Sequence, residues 1–159
     1  MIAGLGAKAM GETELHAAFS LLRVFLAADA HYQDSAEAYG DRGPQALEHA
    51  LRLFLARPEL GFVWLALDAG TVVGGCVVCY AISTSAGAIV AKLDDVCVLP
   101  GREGQGIGTA LIGTLKAELR SRGVRRIDTS CHLQNLRARD FYVRLGFRSL
   151  NEERLALVL

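Results

Sequence analysis

Val96-Cys97-Val98-Leu99-Pro100-Gly101-Arg102-Glu103-Gly104-Gln105-Gly106-Ile107-Gly108 decides how this chain is to be read: an apolar strand stops at a proline, and three glycines spaced two apart lead into a helix. Glycine lets backbone approach a ligand closely, and the unpaired amides of a helix start attract anions. The segment therefore reads as a phosphate cradle, although the glycines alone also fit a plain tight turn. Two well-known phosphate loops are excluded. A dinucleotide fingerprint begun at Gly104 needs Gly or Ala where Thr109 stands, and one begun at Gly106 needs it at Leu111. The Gly-Lys-Ser/Thr triplet of nucleoside-triphosphate loops is absent from the chain.

Downstream, Asn135-Leu136-Arg137-Ala138-Arg139-Asp140-Phe141-Tyr142-Val143-Arg144-Leu145-Gly146-Phe147 carries a second pattern, N-x-x-A-x-x-F-Y-x-x-x-G-F. With V-x-V-x-P and x-x-G-x-G before it, residues 92–150 resemble the GNAT superfamily of N-acetyltransferases. That resemblance implies an α/β fold, a mixed and mostly antiparallel sheet of about seven strands flanked by about four helices. It implies acetyl-CoA as co-substrate, its pantetheine arm pairing with the backbone of the strand carrying Val96 and Val98. The pyrophosphate is expected on the amides of Gly104, Gln105, Gly106, Ile107, Gly108 and Thr109. One position departs from the family pattern: Glu103 stands where Arg or Gln is usual, and Arg102 is the nearby candidate to restore the charge.

The bounds outside these motifs are consistent with one domain, residues 1–159, large enough for a continuous core. Lys plus Arg and Asp plus Glu number 17 each, so no basic field favours nucleic acid or an anionic membrane. Residues 62–82 are nearly all apolar, but Asp68-Ala69-Gly70-Thr71 inside them is a hairpin turn signal, which predicts two buried strands rather than a membrane span. The first eight residues lack the pattern of a secretion signal, so a cytoplasmic location is expected. Cys76 and Cys79 have the spacing of half a zinc knuckle, yet three residues apart on a strand they face opposite sides and no second pair follows. Buried free thiols are expected for the four cysteines, with no metal; an apolar strand does nothing to activate Cys97 as a nucleophile.

Along the chain the expected order is β-α-α-β-β-β-α-β-α-β-β. Residues 2–8 form a weak strand, a helix opens at Gly11-Glu12-Thr13-Glu14, residues 31–43 are polar and mixed, and Pro44 starts a second helix ending near Pro58. Strands follow at about 61–68, 71–82 and 88–98, then a helix at 106–121 with Ile107, Leu111, Leu115 and Leu119 in one stripe. Residues 124–132 read as a strand, Asn135 caps a helix ending near Gly146, and strands at 147–150 and 154–159 close the chain.

For the chemistry, the resemblance implies that Tyr142 protonates the departing thiol of CoA, a role suited to a phenol near its ordinary pKa of about 10. It implies that Phe141 packs, and that Asn135 caps its helix, binds pantetheine, or both. By position Asp94 matches the acid used as base in relatives acting on polyamines; Asp94 and Asp95 are adjacent on a strand, so one of them is expected to face the cleft, while pairing with Lys92 is the bland alternative. His31, Tyr32, Asp34, Glu37, Tyr39 and Asp41 lie where the family builds its acceptor wall, and their acids suggest a small cationic amine as acceptor. Cys131 and His132 lie near the other strand end with no role assigned. A protein N-terminus or lysine as acceptor, a CoA-binding sensor with little turnover, and a homodimer stay open.

Overall fold

The computed structural model describes residues 4–159. Its elements are β1 (Leu5–Ala9), a 3-10 turn at Glu12–Glu14, α1 (Leu15–Ala28), α2 (Ala30–Ser35), α3 (Pro44–Ala56), β2 (Gly61–Asp68), β3 (Thr71–Ser83), β4 (Ala88–Val98), α4 (Ile107–Ser121), β5 (Ile127–Thr129) and α5 (Leu136–Arg144). The strands lie side by side in chain order, β1 to β4 antiparallel and β5 parallel to β4. The expected first strand appears as β1, and the part of it at residues 2 and 3 lies outside the described residues.

The apolar run of β2 and β3 follows from cover on both faces of the sheet. Phe62, Trp64, Ala66, Val73, Cys76 and Val78 pack with Leu93 under the stripe of α4, Ile107, Leu111, Leu115 and Leu119. Val63, Leu65, Val72 and Cys97 pack with Leu21, Leu22 and Leu51 of α1 and α3. Among the described residues no helix is long and apolar enough to cross a membrane. The β2–β3 turn has Ala69 and Gly70 at φ 48° and 82°, the pair of positive values that a two-residue turn of a right-twisted hairpin needs.

Several expectations are corrected. The segment 31–43, read as polar and mixed with no element of its own in the expected order, begins within α2, because the Asp29 carboxylate accepts the Tyr32 amide at 2.7 Å and caps a short helix. The strand expected at 124–132 is only three residues long, and neither 147–150 nor 154–159 is a strand. Among the described residues the sheet therefore has five strands, flanked by five α-helices, instead of about seven and four. A physical reason lies in β5 itself: a ladder of three residues offers little edge for a further strand, so even the alternating Leu155, Leu157 and Leu159 stay exposed. Of the cysteines, Cys76 and Cys97 are buried as expected, whereas Cys79 is half-buried and Cys131 exposed.

Candidate active site

A bulge in β4 opens the sheet. Against β3, Gly75 pairs with Cys97 and Val77 with Asp94, so Asp95 and Val96 together face Cys76 alone. Asp95 takes φ +51°, a left-handed conformation uncommon for a residue with a side chain. On the other side β4 pairs with β5 through Ala91, Lys92 and Leu93 and no further. Beyond that point residues 94–98 run with a free edge toward the gap, and β5 gives way to the loop that leads into α5. Backbone groups of Val96 and Val98 are thus available to an extended ligand lying in the gap.

The end of this free edge turns into α4. Gly104 and Gly106 have φ 75° and 83°, and Gly106 is the N-cap without any side-chain cap, so the amides of Ile107, Gly108 and Thr109 lack a capping partner from the protein. Gly108 also faces α5: a Cβ there would stand 3.4 Å from the Phe141 ring, in contact with it. Lys116 Nζ donating to the Leu145 carbonyl at 3.2 Å fastens the same helix pair. Glu103 turns back, its carboxylate accepting the Gly101 amide at 2.8 Å. Arg102 is not free to complete the cradle. Its guanidinium pairs with Asp68 at 2.7 Å and donates to Gln105 Oε1 at 2.9 Å, which also commits the Gln105 side chain to the turn.

α5 is capped by Asn135, whose side-chain oxygen accepts the Ala138 amide at 3.0 Å. This places Tyr142 half-buried over the gap, between Phe141 and Phe147 at ring distances of 5.3 and 5.4 Å. Burial pushes its phenol up to about 12, against the opposing influence of the Thr129 hydroxyl, and the charge of nearby Asp94 acts in the same upward direction. The phenol is therefore a weaker acid than the sequence suggested and stays protonated at neutral pH.

The two carboxylates differ in setting. Asp94 pairs with Lys92 at 2.7 Å. Asp95 is turned by the bulge into a largely desolvated position, and burial first, then repulsion from Asp94, raise its carboxyl to about 6, with Lys92 and Arg154 pulling the other way. Its charge is felt by Tyr32, whose phenol is pushed up to about 12 by burial and by the Asp41 carboxylate that accepts its proton at 3.0 Å. Tyr39 lies against Tyr32 at a ring distance of 5.8 Å. The structure thus brings Tyr32, Tyr39 and Asp41 near Asp95, while the charge of Asp94 reaches both Asp95 and Tyr142.

His132 ties the loop after β5 to α2. The Gln134 amide donates to its Nδ1 at 3.2 Å, so the ring proton sits on Nε2 and is offered to Asp34 at 3.1 Å, while His31 stacks on the ring at 5.0 Å. Glu37 is exposed, and among the described residues its carboxylate has no side-chain partner. Cys97 is buried and its thiol is pushed up to about 12, which leaves no thiolate for covalent chemistry. Three residues that carry no signal in the sequence belong to the site: Thr129 beside Tyr142, Ser130 at the end of β5, and Arg154, whose guanidinium reaches both Ser130 and Tyr39. Nothing in their local sequence marks them, since they meet only in space.

The family model described as Acetyltransferase (GNAT) family matches residues 28–147. No curated protein matches the chain in sequence. Among solved structures, a transcriptional regulator from Bacillus halodurans is 21% identical over 98% of this chain and 99% of its own, with a TM-score of 0.77. An acetyltransferase of Trypanosoma brucei is 24% identical over 98% and 99%, with a TM-score of 0.69. An aminoglycoside acetyltransferase from an uncultured soil metagenomic sample is 18% identical over 99% and 98%, with a TM-score of 0.74.

Proposed function

Since the chain belongs to the acetyltransferase (GNAT) family, we propose that it moves an acetyl group from acetyl-CoA to a primary amine of a small cationic molecule, by direct attack in a ternary complex within one domain formed by residues 1–159. Bound acetyl-CoA supplies the activated acetyl group. The chain fits such a ligand in two places: the free edge of β4 at Val96 and Val98 for the pantetheine arm, and the uncapped amides at Gly104 to Thr109 for the pyrophosphate. With Arg102 and Gln105 committed to the turn, the backbone does the phosphate binding.

The observation that carries the reading is the bulge at Asp95. A strained, desolvated carboxyl near 6 beside an opened strand edge is matched to accepting a proton from an ammonium group close to neutral pH. Asp95 is therefore the proposed base, with Asp94 a neighbour that raises its affinity for the proton and draws cations to the gap. Tyr142 holds its proton at the phenolic oxygen and delivers it to the departing sulfur; Asn135 keeps α5, and so the phenol, in place. The acids at Asp34 and Asp41 support a cationic acceptor. Aminoglycosides, for which some acetyltransferases of this fold are named, carry several amino groups and belong to that class.

The test is release of free CoA thiol from acetyl-CoA with a panel of amines. Spermidine-like amines are expected to outpace anionic and peptide amines, at a rate rising through pH 6. Preference for a peptide amine would replace the acceptor, and CoA binding without turnover on any amine would replace the enzyme by a sensor.

A further inference from the structure

Residues 151–159 carry neither helix nor strand, and Leu155 and Leu157 are each 84% exposed, so burial of apolar surface does not hold this segment down. Two side chains place it nonetheless. Arg154 lays its guanidinium 5.0 Å above the Tyr39 ring and donates from Nη1 to Ser130 Oγ at 2.7 Å. Val158 sits on Gly40, where an added Cβ would come within 3.4 Å of its Cγ1. Tyr39 and Gly40 follow α2, and Ser130 follows β5. Arg154 therefore touches residues after both elements, near enough for its charge to act on Asp95.

The partners of Arg154 are of an unusual kind for a cation. Among the described residues it forms no ion pair, although Asp34, Asp41 and Asp95 all belong to this region. An aromatic face and a neutral hydroxyl hold it, contacts that fix orientation at little energy and release easily. Its charge still reaches Asp95 and lowers the carboxyl against the effect of burial. A positive group that fits over Tyr39, within electrostatic reach of the proposed base, occupies the place that a second positive charge of an acceptor would take.

We propose that the Tyr39 ring face and the Ser130 hydroxyl form a cation subsite for the non-reacting ammonium of a di- or polyamine, with Arg154 a tethered stand-in that such an acceptor displaces. The reading rests on the acetyl transfer proposed above. Displacement needs a second charge, so monoamines gain nothing from the subsite. A tethered competitor reduces apparent affinity by the fraction of molecules in which it occupies the site.

The test compares the whole chain with Arg154→Gln and with Arg154→Gln/Tyr39→Leu, measuring direct binding of spermidine and of n-butylamine by titration without acetyl-CoA, and KM for each amine with it. Arg154→Gln removes a charge that acts on Asp95 for every amine, and beyond that shared effect it is expected to tighten spermidine about two- to fivefold more than n-butylamine, the worth of an exposed cation–π contact. The double variant is expected to lose that gain. Weaker spermidine binding by Arg154→Gln, equal tightening of both amines, or a gain that survives loss of the Tyr39 ring would each overturn the subsite. Acetyl transfer to spermidine with a KM indifferent to Arg154→Gln overturns the subsite alone. Tighter spermidine binding with no transfer to any amine supports the subsite and removes the acetyltransferase reading.

Discussion

Asp95→Asn separates stability from catalysis at one atom. Asparagine matches the shape of the side chain and tolerates the left-handed backbone at φ +51°, so the substitution removes a charge without adding strain. Burial and the neighbouring Asp94 hold the wild-type carboxyl at about 6 against an ordinary 3.8. A native group with the higher pKa keeps its proton longer than the unfolded chain does, so its contribution is intact below pH 4, falls between 4 and 6, and stays lost above 6. The deficit at neutral pH is about 3 kcal/mol at most, and about 1–2 kcal/mol once water at the mouth of the cleft is allowed for. Asp95→Asn is expected to recover it, raising Tm by about 3–6 °C at pH 8 and by little at pH 4. CoA release with spermidine should fall by about 10²–10⁴ over the same pH range. Thermal melts from pH 4 to pH 8.5 beside the rate assay decide the matter. A Tm gain independent of pH, or none at pH 8, would refute the desolvated carboxyl, and full activity would refute its use as base.

Tyr142→Phe is expected to keep Tm and acetyl-CoA affinity while slowing transfer about 10²–10⁴-fold, since the ring still packs between Phe141 and Phe147 and only the proton is gone; turnover within about twofold of wild type would reduce Tyr142 to packing. Acetyl-CoA at a hundred times its Kd should raise stability by about 2.7 kcal/mol, read as a shift in Tm, and a shift by NAD or ATP instead would dismiss the cradle assignment. Glu103→Arg should tighten acetyl-CoA, measured by titration, with a gain that shrinks as salt is added, because it exchanges a carboxylate tied to Gly101 for a cation beside the proposed pyrophosphate site. Gly108→Val should cost about 1–3 kcal/mol in denaturant unfolding and weaken acetyl-CoA binding together, because its side chain enters the space of the Phe141 ring.

Local signals are legible in the amino-acid sequence itself. The strand ending at Pro100, the positive-φ glycines at 104 and 106, the stripe of α4, the β2–β3 turn and the Asn135 cap each depend on residues within a few positions of one another. Together with the second motif they suffice for the family and the order of its elements as far as α5, apart from the short α2. What tertiary structure decides is of another kind. Which of Asp94 and Asp95 is desolvated depends on a bulge, where one extra residue in β4 exchanges the faces of the strand, and side-chain alternation alone cannot register it. Whether Arg102 completes the cradle depends on Asp68, thirty-four positions away, which takes the guanidinium. No strand forms at 147–150 or 154–159, although Leu155, Leu157 and Leu159 alternate as in a strand, and β5 presents only a three-residue edge: pairing needs a neighbour as well as propensity. Arg154 over Tyr39 joins positions far apart along the chain, a meeting that leaves no periodicity in it because it is made by the fold and not by either segment.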